Sequence, residues 1–266
     1  MAVYGGDAPL PFEKALESLL CQTVVADEVV LVEDGPIGYD LCEIIDRYRA
    51  KLRLLVVKLK ANHGLAYALR AGLLKCTGEL VARMDADDIC TPTRFEKQLA
   101  FLTEHEDADV VGGAIAEFLD ESSKTYVIRR PPLGGKELAA YARLRNPLNH
   151  MTVMFRKEKV LRAGSYRAQP PFEDYHLWVC MMMDGSSLCN LHDVLVLVRC
   201  GNGMQERRGG GKYARREVAF VRSMKRMHFF SLIDCVKYLM VHIPLRVVPG
   251  GIRGTFYRLF LRESAE

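Results

Sequence analysis

"NHGLAYALRAGLLKCTGELVARMDADDICTPTRFEKQ", Asn62–Gln98, holds a helix, a strand and the start of a second helix in one short run. "GLAYALRAGLLKC" (64–76) has helical apolar spacing, and "GELVARM" (78–84) is short and strand-like. The strand runs into three acids, Asp85, Asp87 and Asp88. "TPTRFEKQLAFLTEH" (91–105) then reads as a helix with Thr91 as N-cap and Pro92 in the first helical position. Strand–helix alternation of this kind predicts a mostly parallel sheet flanked by helices, an α/β fold. Such sheets bind ligands at the carboxyl ends of their strands, where the three aspartates fall.

The alternation extends to both sides. "DEVVLVED" (27–34) is a buried strand ending in acids, "YDLCEIIDRYRAKL" has helical spacing, and "RLLVVKL" (53–59) is a second strand. "ADVVGGAIAEF" (108–118) is another. Beyond residue 119 the pattern is mixed. "SKTYVIRRPPLGG" reads as an edge strand and turn, "NHMTVMF" (149–155) and "LHDVLVLVR" (191–199) as strands, and "FEDYHLWVCMMMDG" (172–185) as a helix opening on two acids.

The 266 residues are 49% apolar, enough for a sizeable core. Eight cysteines without a CxxC pair argue for reduced thiols and against a zinc site or a disulfide framework. "MAVYGGDAPLPFEK" lacks the basic and apolar regions of a signal peptide. Net charge is +4, yet Arg199–Arg262 holds 14 Lys/Arg against three acids, leaving the preceding body mildly acidic. That asymmetry suggests an anionic partner at the C-terminal third. No nucleic acid is expected, because no aromatic platform or known module accompanies the charge.

Three chemistries suit the aspartates. A calcium loop fails, because Ile89 and Cys90 stand where an acid and a glycine are required. A phosphatase nucleophile loop belongs on a first core strand, and at least three strand-like segments precede this one. In the third, Asp85 and Asp87 point to one side of an extended end. There they face a nucleotide-sugar donor, and one of them holds Mg²⁺ or Mn²⁺ against its diphosphate.

The third choice gains weight from a set of segments in order: "FEKALESLLCQTVVADEVVLVEDGP" (12–36), Asn62–Gln98, "NPLNHMTVMFRK" (146–157), "GSYR" (164–167) and "FEDYHLWV" (172–179). Together they resemble family 2 inverting glycosyltransferases of the GT-A fold, of the bacterial exopolysaccharide and O-antigen type, and most closely the amylovoran-biosynthesis-like subgroup. The resemblance implies a GT-A domain over 1–200, with a donor half at about 1–118 and an acceptor half at about 119–200. A basic helical extension, 201–266, follows. It also implies roles by position. Val3, Tyr4 and Asp34 hold the donor base and ribose. Asp85 lies on the ribose or diphosphate side, Asp87 is the metal ligand, and Asp88 supports the metal or, preferably, caps the next helix. Arg70 reaches the donor phosphates. Asp174 is the general base, with Glu173 orienting it or binding acceptor. Trp178, one helical turn further, either stacks on a sugar or packs in the core. His150 is either near the acceptor or a core histidine. Gln205, Arg207 and Arg208 lie in a basic, glycine-bearing loop suited to closing over the diphosphate. That loop only partly matches the processive relatives' QxxRW, since Gly209 replaces Trp.

The implied reaction is metal-dependent transfer of one sugar from a nucleotide-diphosphate donor, UDP by expectation, to a polyprenyl-diphosphate-linked saccharide. It would take place at the inner face of the cytoplasmic membrane, with the protein cytoplasmic and peripheral. Met1 stands inside the first strand of the family pattern, so a short strand with few hydrogen bonds is expected. That leaves a catalytically impaired nucleotide-sugar-binding protein as the alternative. "HFFSLIDCVKYLMVHI" (228–243) is apolar but too short and interrupted to span a membrane, which takes about 20 residues, and it suits a helix packed on the domain. "GGIRGTFYRLFLR" (250–262) suits an interfacial helix on anionic lipid or a packed terminal helix.

Overall fold

The computed structural model describes residues 1–118, 126–200, 209–247 and 263–265. Its first layer is a parallel sheet in the order β1 (Ala2–Val3), β2 (Val29–Glu33), β3 (Leu54–Lys58). All five β2 residues are buried, as a strand covered on both faces requires. Alternation sends Leu31 to one face, with Phe12 and Leu16 of α1 (Pro9–Leu20) and Ile45 of α2 (Tyr39–Arg49). Val30 and Val32 go to the other, against α3 (Leu65–Lys75). There a Cβ on Gly72 would meet Val32 Cγ2 at 2.9 Å. α1 was not read from the sequence, although Phe12, Ala15, Leu16 and Leu19 have helical spacing behind a first-turn Pro9.

The second sheet is mixed. β6 (Ala108–Phe118) pairs antiparallel with β8 (Met154–Arg156) and β7 (Tyr126–Arg129), and parallel with β9 (Ser187–Arg199). β4 (Leu80–Ala82) joins β8, β5 (Ile89–Cys90) joins β9, and β10 (Glu263–Ala265) joins β7, all antiparallel. The helices are α4 (Arg94–Glu104), α5 (Gly135–Tyr141), α6 (Lys157–Arg162), α7 (Glu173–Met183), α8 (Gly210–Arg226) and α9 (Leu232–Val247). Among the described residues no helix is long and apolar enough to cross a membrane. Residues 248–262, including the whole of the expected interfacial helix at 250–262, lie outside the described residues.

Two local expectations are corrected. α4 begins at Arg94, with Thr93 rather than Thr91 in the cap position. Thr91 instead continues the β5 ladder: its N–H donates to Leu195 O at 3.0 Å and its hydroxyl to the same oxygen at 3.1 Å. In "NHMTVMF" a 3₁₀ turn, His150–Thr152, precedes β8. The Thr152 hydroxyl donates to Asn149 O at 2.7 Å and the Asn149 amide to Gly113 O at 2.8 Å, and these bonds displace the ladder.

α8 and α9 are packed onto the body. Tyr213, Phe220 and Met224 of α8 and Tyr238 of α9 share a buried cluster with Phe172, Tyr175 and Val179. A buried ion pair pins them together: Arg246 Nη2 lies 2.8 Å from Glu217 Oε1, and Nε lies 3.1 Å from Oε2.

Candidate active site

The carboxyl end of β4 continues as Arg83-Met84-Asp85-Ala86-Asp87-Asp88. Extended backbone turns Arg83 and Asp85 the same way. Both Asp85 oxygens accept from the buried Arg83 guanidinium, each at 2.5 Å. Such a two-pronged pair is the strong form of a charge-assisted hydrogen bond. The chain is braced here by α4: Arg94, fully buried, donates to Arg83 O at 2.7 Å and to Val153 O at 3.3 Å.

Asp87 opens to solvent, yet the surrounding cleft and the charge of Asp85 raise its carboxyl above the ordinary range. Asp88 is buried, and burial, Asp85 and Asp87 push it well up. Its Oδ1 accepts the Arg199 N–H at 3.1 Å. Asp88 therefore ties the end of β9 and does not cap α4, contrary to the preferred expectation. Asp7, in the turn after β1, belongs to the same field: desolvation, Asp87 and Asp85 raise it to about 6.

On the parallel layer, Asp34 lies beside Val3, with Asp34 N–H donating to Val3 O at 2.8 Å. Its carboxylate accepts the His63 and Gly64 N–H groups at 2.8 and 2.9 Å, fixing the entry to α3. Gly64 has φ 88°, a left-handed value that favours glycine. Val3 is buried, Tyr4 is exposed, and Tyr4 N–H donates to Asp7 at 2.9 Å. Arg70 stands exposed on α3.

Opposite lies the first turn of α7. Asp174 Oδ2 accepts from Asn146 Nδ2 at 2.6 Å. Burial raises the Asp174 carboxyl, while the Tyr175 N–H, Asn146 and Arg83 pull it back. Glu173 is also raised by desolvation and by Asp174, and its Oε2 is buried without a hydrogen-bond partner. Arg83 acts electrostatically on Asp87, Asp88, Glu173 and Asp174 alike, so the aspartate strand and the α7 acids face one cleft. Sequence reading missed Arg83, Asp7 and Asn146. Arg83 was legible from its i, i+2 spacing to Asp85; Asn146 was in a quoted segment with no role attached.

Two residues do not line the cleft with open faces. Trp178 is fully buried with Leu148, Phe155 and Tyr166, which rules out stacking on a sugar. His150 is buried, with Nε2 3.0 Å from Tyr166 Oη and its ring edge-on to Trp178. Burial and Arg83 hold its pKa well below the usual histidine value, so it is neutral. Arg207 and Arg208, with Gln205, lie outside the described residues. Gly210 opens α8, and the ring of Tyr213 meets Phe172 at 5.8 Å, which brings that helix start to the α7 acids.

Among the described residues no three His, Cys, Asp or Glu side chains converge on a metal position. A hard divalent ion needs only one or two carboxylates when diphosphate oxygens complete its shell. The solvent-open Asp87, which makes no ion pair among the described residues, fits that demand.

The Glycosyl transferase family 2 model matches residues 4–164. This chain belongs to glycosyl transferase family 2. The family 2 chain is 41% identical to the amylovoran biosynthesis glycosyltransferase AmsE of Erwinia amylovora, over 97% of this chain and 96% of that protein. It is 34% identical to a UDP-Gal:alpha-D-GlcNAc-diphosphoundecaprenol beta-1,3-galactosyltransferase of Escherichia coli, over 99% and 95%. In fold it resembles the Pyrobaculum calidifontis mannosyltransferase PcManGT, solved with GDP-Man and Mn²⁺, at TM-score 0.66 and 18% identity over 96% of this chain and 73% of that one. It also resembles S. aureus TarS 1–349 with UDP-GlcNAc, at TM-score 0.64 and 18% identity; it spans 84% of its own length and 64% of that chain. The family 2 protein is thus a glycosyltransferase of GT-A fold.

Proposed function

We propose that this glycosyltransferase moves one sugar, with inversion, from a uridine-diphosphate donor to a saccharide carried on a lipid diphosphate. The carrying observation is the half-buried Asp174, held by Asn146 and sharing the field of Arg83 with Asp87. The named activity of the 34%-identical galactosyltransferase supports the donor and acceptor classes. The AmsE relative supports a place in surface-polysaccharide synthesis.

Asp34, beside Val3 and Tyr4, receives the nucleoside, and the Arg83–Asp85 pair forms the floor beneath the diphosphate. Asp87 holds Mg²⁺ or Mn²⁺. When bound, that ion offsets the charge growing on the leaving diphosphate. Asp174 accepts the proton of the acceptor hydroxyl as its oxygen forms a bond to the anomeric carbon. The bond from that carbon to the diphosphate oxygen breaks on the opposite face, and nucleoside diphosphate leaves with the electron pair. Asn146 fixes the carboxylate, and partial desolvation makes it a stronger base than a surface aspartate.

The test is donor turnover by the full chain with UDP-sugars, Mn²⁺ and a lipid-diphosphate saccharide. Asp174→Asn is expected to keep donor binding and to lose at least ~10²-fold in transfer rate, the usual scale for a general base. Unchanged transfer in that variant would remove Asp174 from the role.

A further inference from the structure

Among the described residues, α9 turns an uncovered apolar face outward. Leu232, Val236 and Met240 recur every four residues along one line of the helix, at 70%, 56% and 72% exposure, and Ile233 and Val241 flank them. The opposite side of α9 is already used, by Tyr238 in the α7–α8 cluster and Arg246 on Glu217. A cleft of about 520 Å³ runs along the border of the apolar face, between α5 and α9, lined by Lys136, Arg143, Leu144, Asp234 and Lys237. Arg143 neutralises Asp234 at 3.0 Å. Lys136 and Lys237 carry no ion pair among the described residues, so the cleft keeps an excess of positive charge.

We propose that the outer face of α9 docks this protein on an anionic lipid surface, with a headgroup phosphate seated in the cleft between Lys136 and Lys237. An apolar helix face bordered by lysines matches a bilayer boundary in both layers: side chains enter the acyl region while ammonium groups stay at the phosphates. The placement also suits the acceptor. The segment after α5 binds α9 and the α7 carboxylate within four residues: Arg143 to Asp234, Leu144 O to His242 Nε2 at 2.9 Å, and Asn146 to Asp174. A saccharide reaching Asp174 would therefore have its lipid anchor beside α9, a point that rests on the acceptor class proposed above.

The experiment is co-sedimentation of the full chain with phosphatidylcholine vesicles, with and without phosphatidylglycerol, scored beside donor turnover. The wild type is expected on the phosphatidylglycerol vesicles. Val236→Asp with Met240→Asp should abolish retention. Lys136→Glu with Lys237→Glu should weaken it by about fivefold or more per lysine and remove its salt sensitivity. All three proteins should keep donor hydrolysis, since none of these side chains lies in the cleft with Asp85 and Asp174. That retained turnover also shows the variants are folded. No retention of the wild type, or equal retention of both double variants, overturns the proposal. So does a wild-type dimer that the Val236 and Met240 changes dissociate, which would make the face a contact between copies. Vesicle binding needs no donor, so failure of Asp174→Asn to affect transfer would refute the mechanism and leave this result untouched.

Discussion

Arg83 is the charge around which the cleft acids are arranged. It is buried and takes both oxygens of Asp85. Arg83→Gln leaves that carboxylate without its cation in a partly desolvated place. We expect a loss of about 2–4 kcal/mol in unfolding free energy, read from the denaturant midpoint. Asn146→Ala removes the amide that donates to Asp174 at 2.6 Å, together with a long bond that Asn146 Oδ1 accepts from the Leu148 N–H at 3.4 Å. The Asn146 N–H favours the ionised carboxyl and opposes burial, so its removal raises the pKa further. Asp174 must be ionised to accept a proton, and activity falls as pH drops through its pKa. The acid limb of kcat/KM should therefore lie above the ordinary aspartate range and move to higher pH in Asn146→Ala. A limb that stays in place would detach Asn146 from the base. The carboxylates were legible in the sequence because acids ending an apolar strand are conspicuous. Their bonds were not. Asp88 reaches a backbone amide 111 residues away, and no local pattern announces that partner.

At the level of elements, period and length were read well where one strand is buried along its run, as in β6, which spans Ala108–Phe118 as expected. Reading failed where short polar side chains compete for the backbone. Asn149 and Thr152 turn a strand-like pattern into a 3₁₀ turn, and Thr91 extends a ladder instead of capping a helix. α7 shows how one helix serves two ends: its first turn carries Glu173 and Asp174, and its next turn sinks Trp178 into the core. Trp178→Ala should then cost about 3–5 kcal/mol of stability, the scale for a large buried aromatic. Trp178→Phe should cost less. In the folded Phe variant the acceptor KM is expected to stay near wild type, whereas a sugar-stacking tryptophan would raise it strongly.

Across the whole molecule, the parallel layer and the mixed sheet meet at a cleft whose acids come from both halves of the chain. The alternation up to residue 118 made the first layer legible. The second depends on pairings such as β6 with β9, which join residues about eighty apart and leave no periodic trace. The C-terminal helices were legible as basic and helical, but their sequence left packing on the domain and contact with a membrane both open. Ending the chain after Cys200 would uncover Phe172, Tyr175 and Val179. We expect that product to aggregate, or to bind a hydrophobic dye and melt well below the full chain in a thermal scan. Phe172 and Tyr175 bracket Glu173 and Asp174, and both rest on α8. The pair α8–α9 is therefore no interchangeable cassette: a chimera that borrows these helices from a relative also re-seats the proton acceptor, and inherits its partner's chemistry only if Phe172, Tyr175 and Val179 are exchanged along with them.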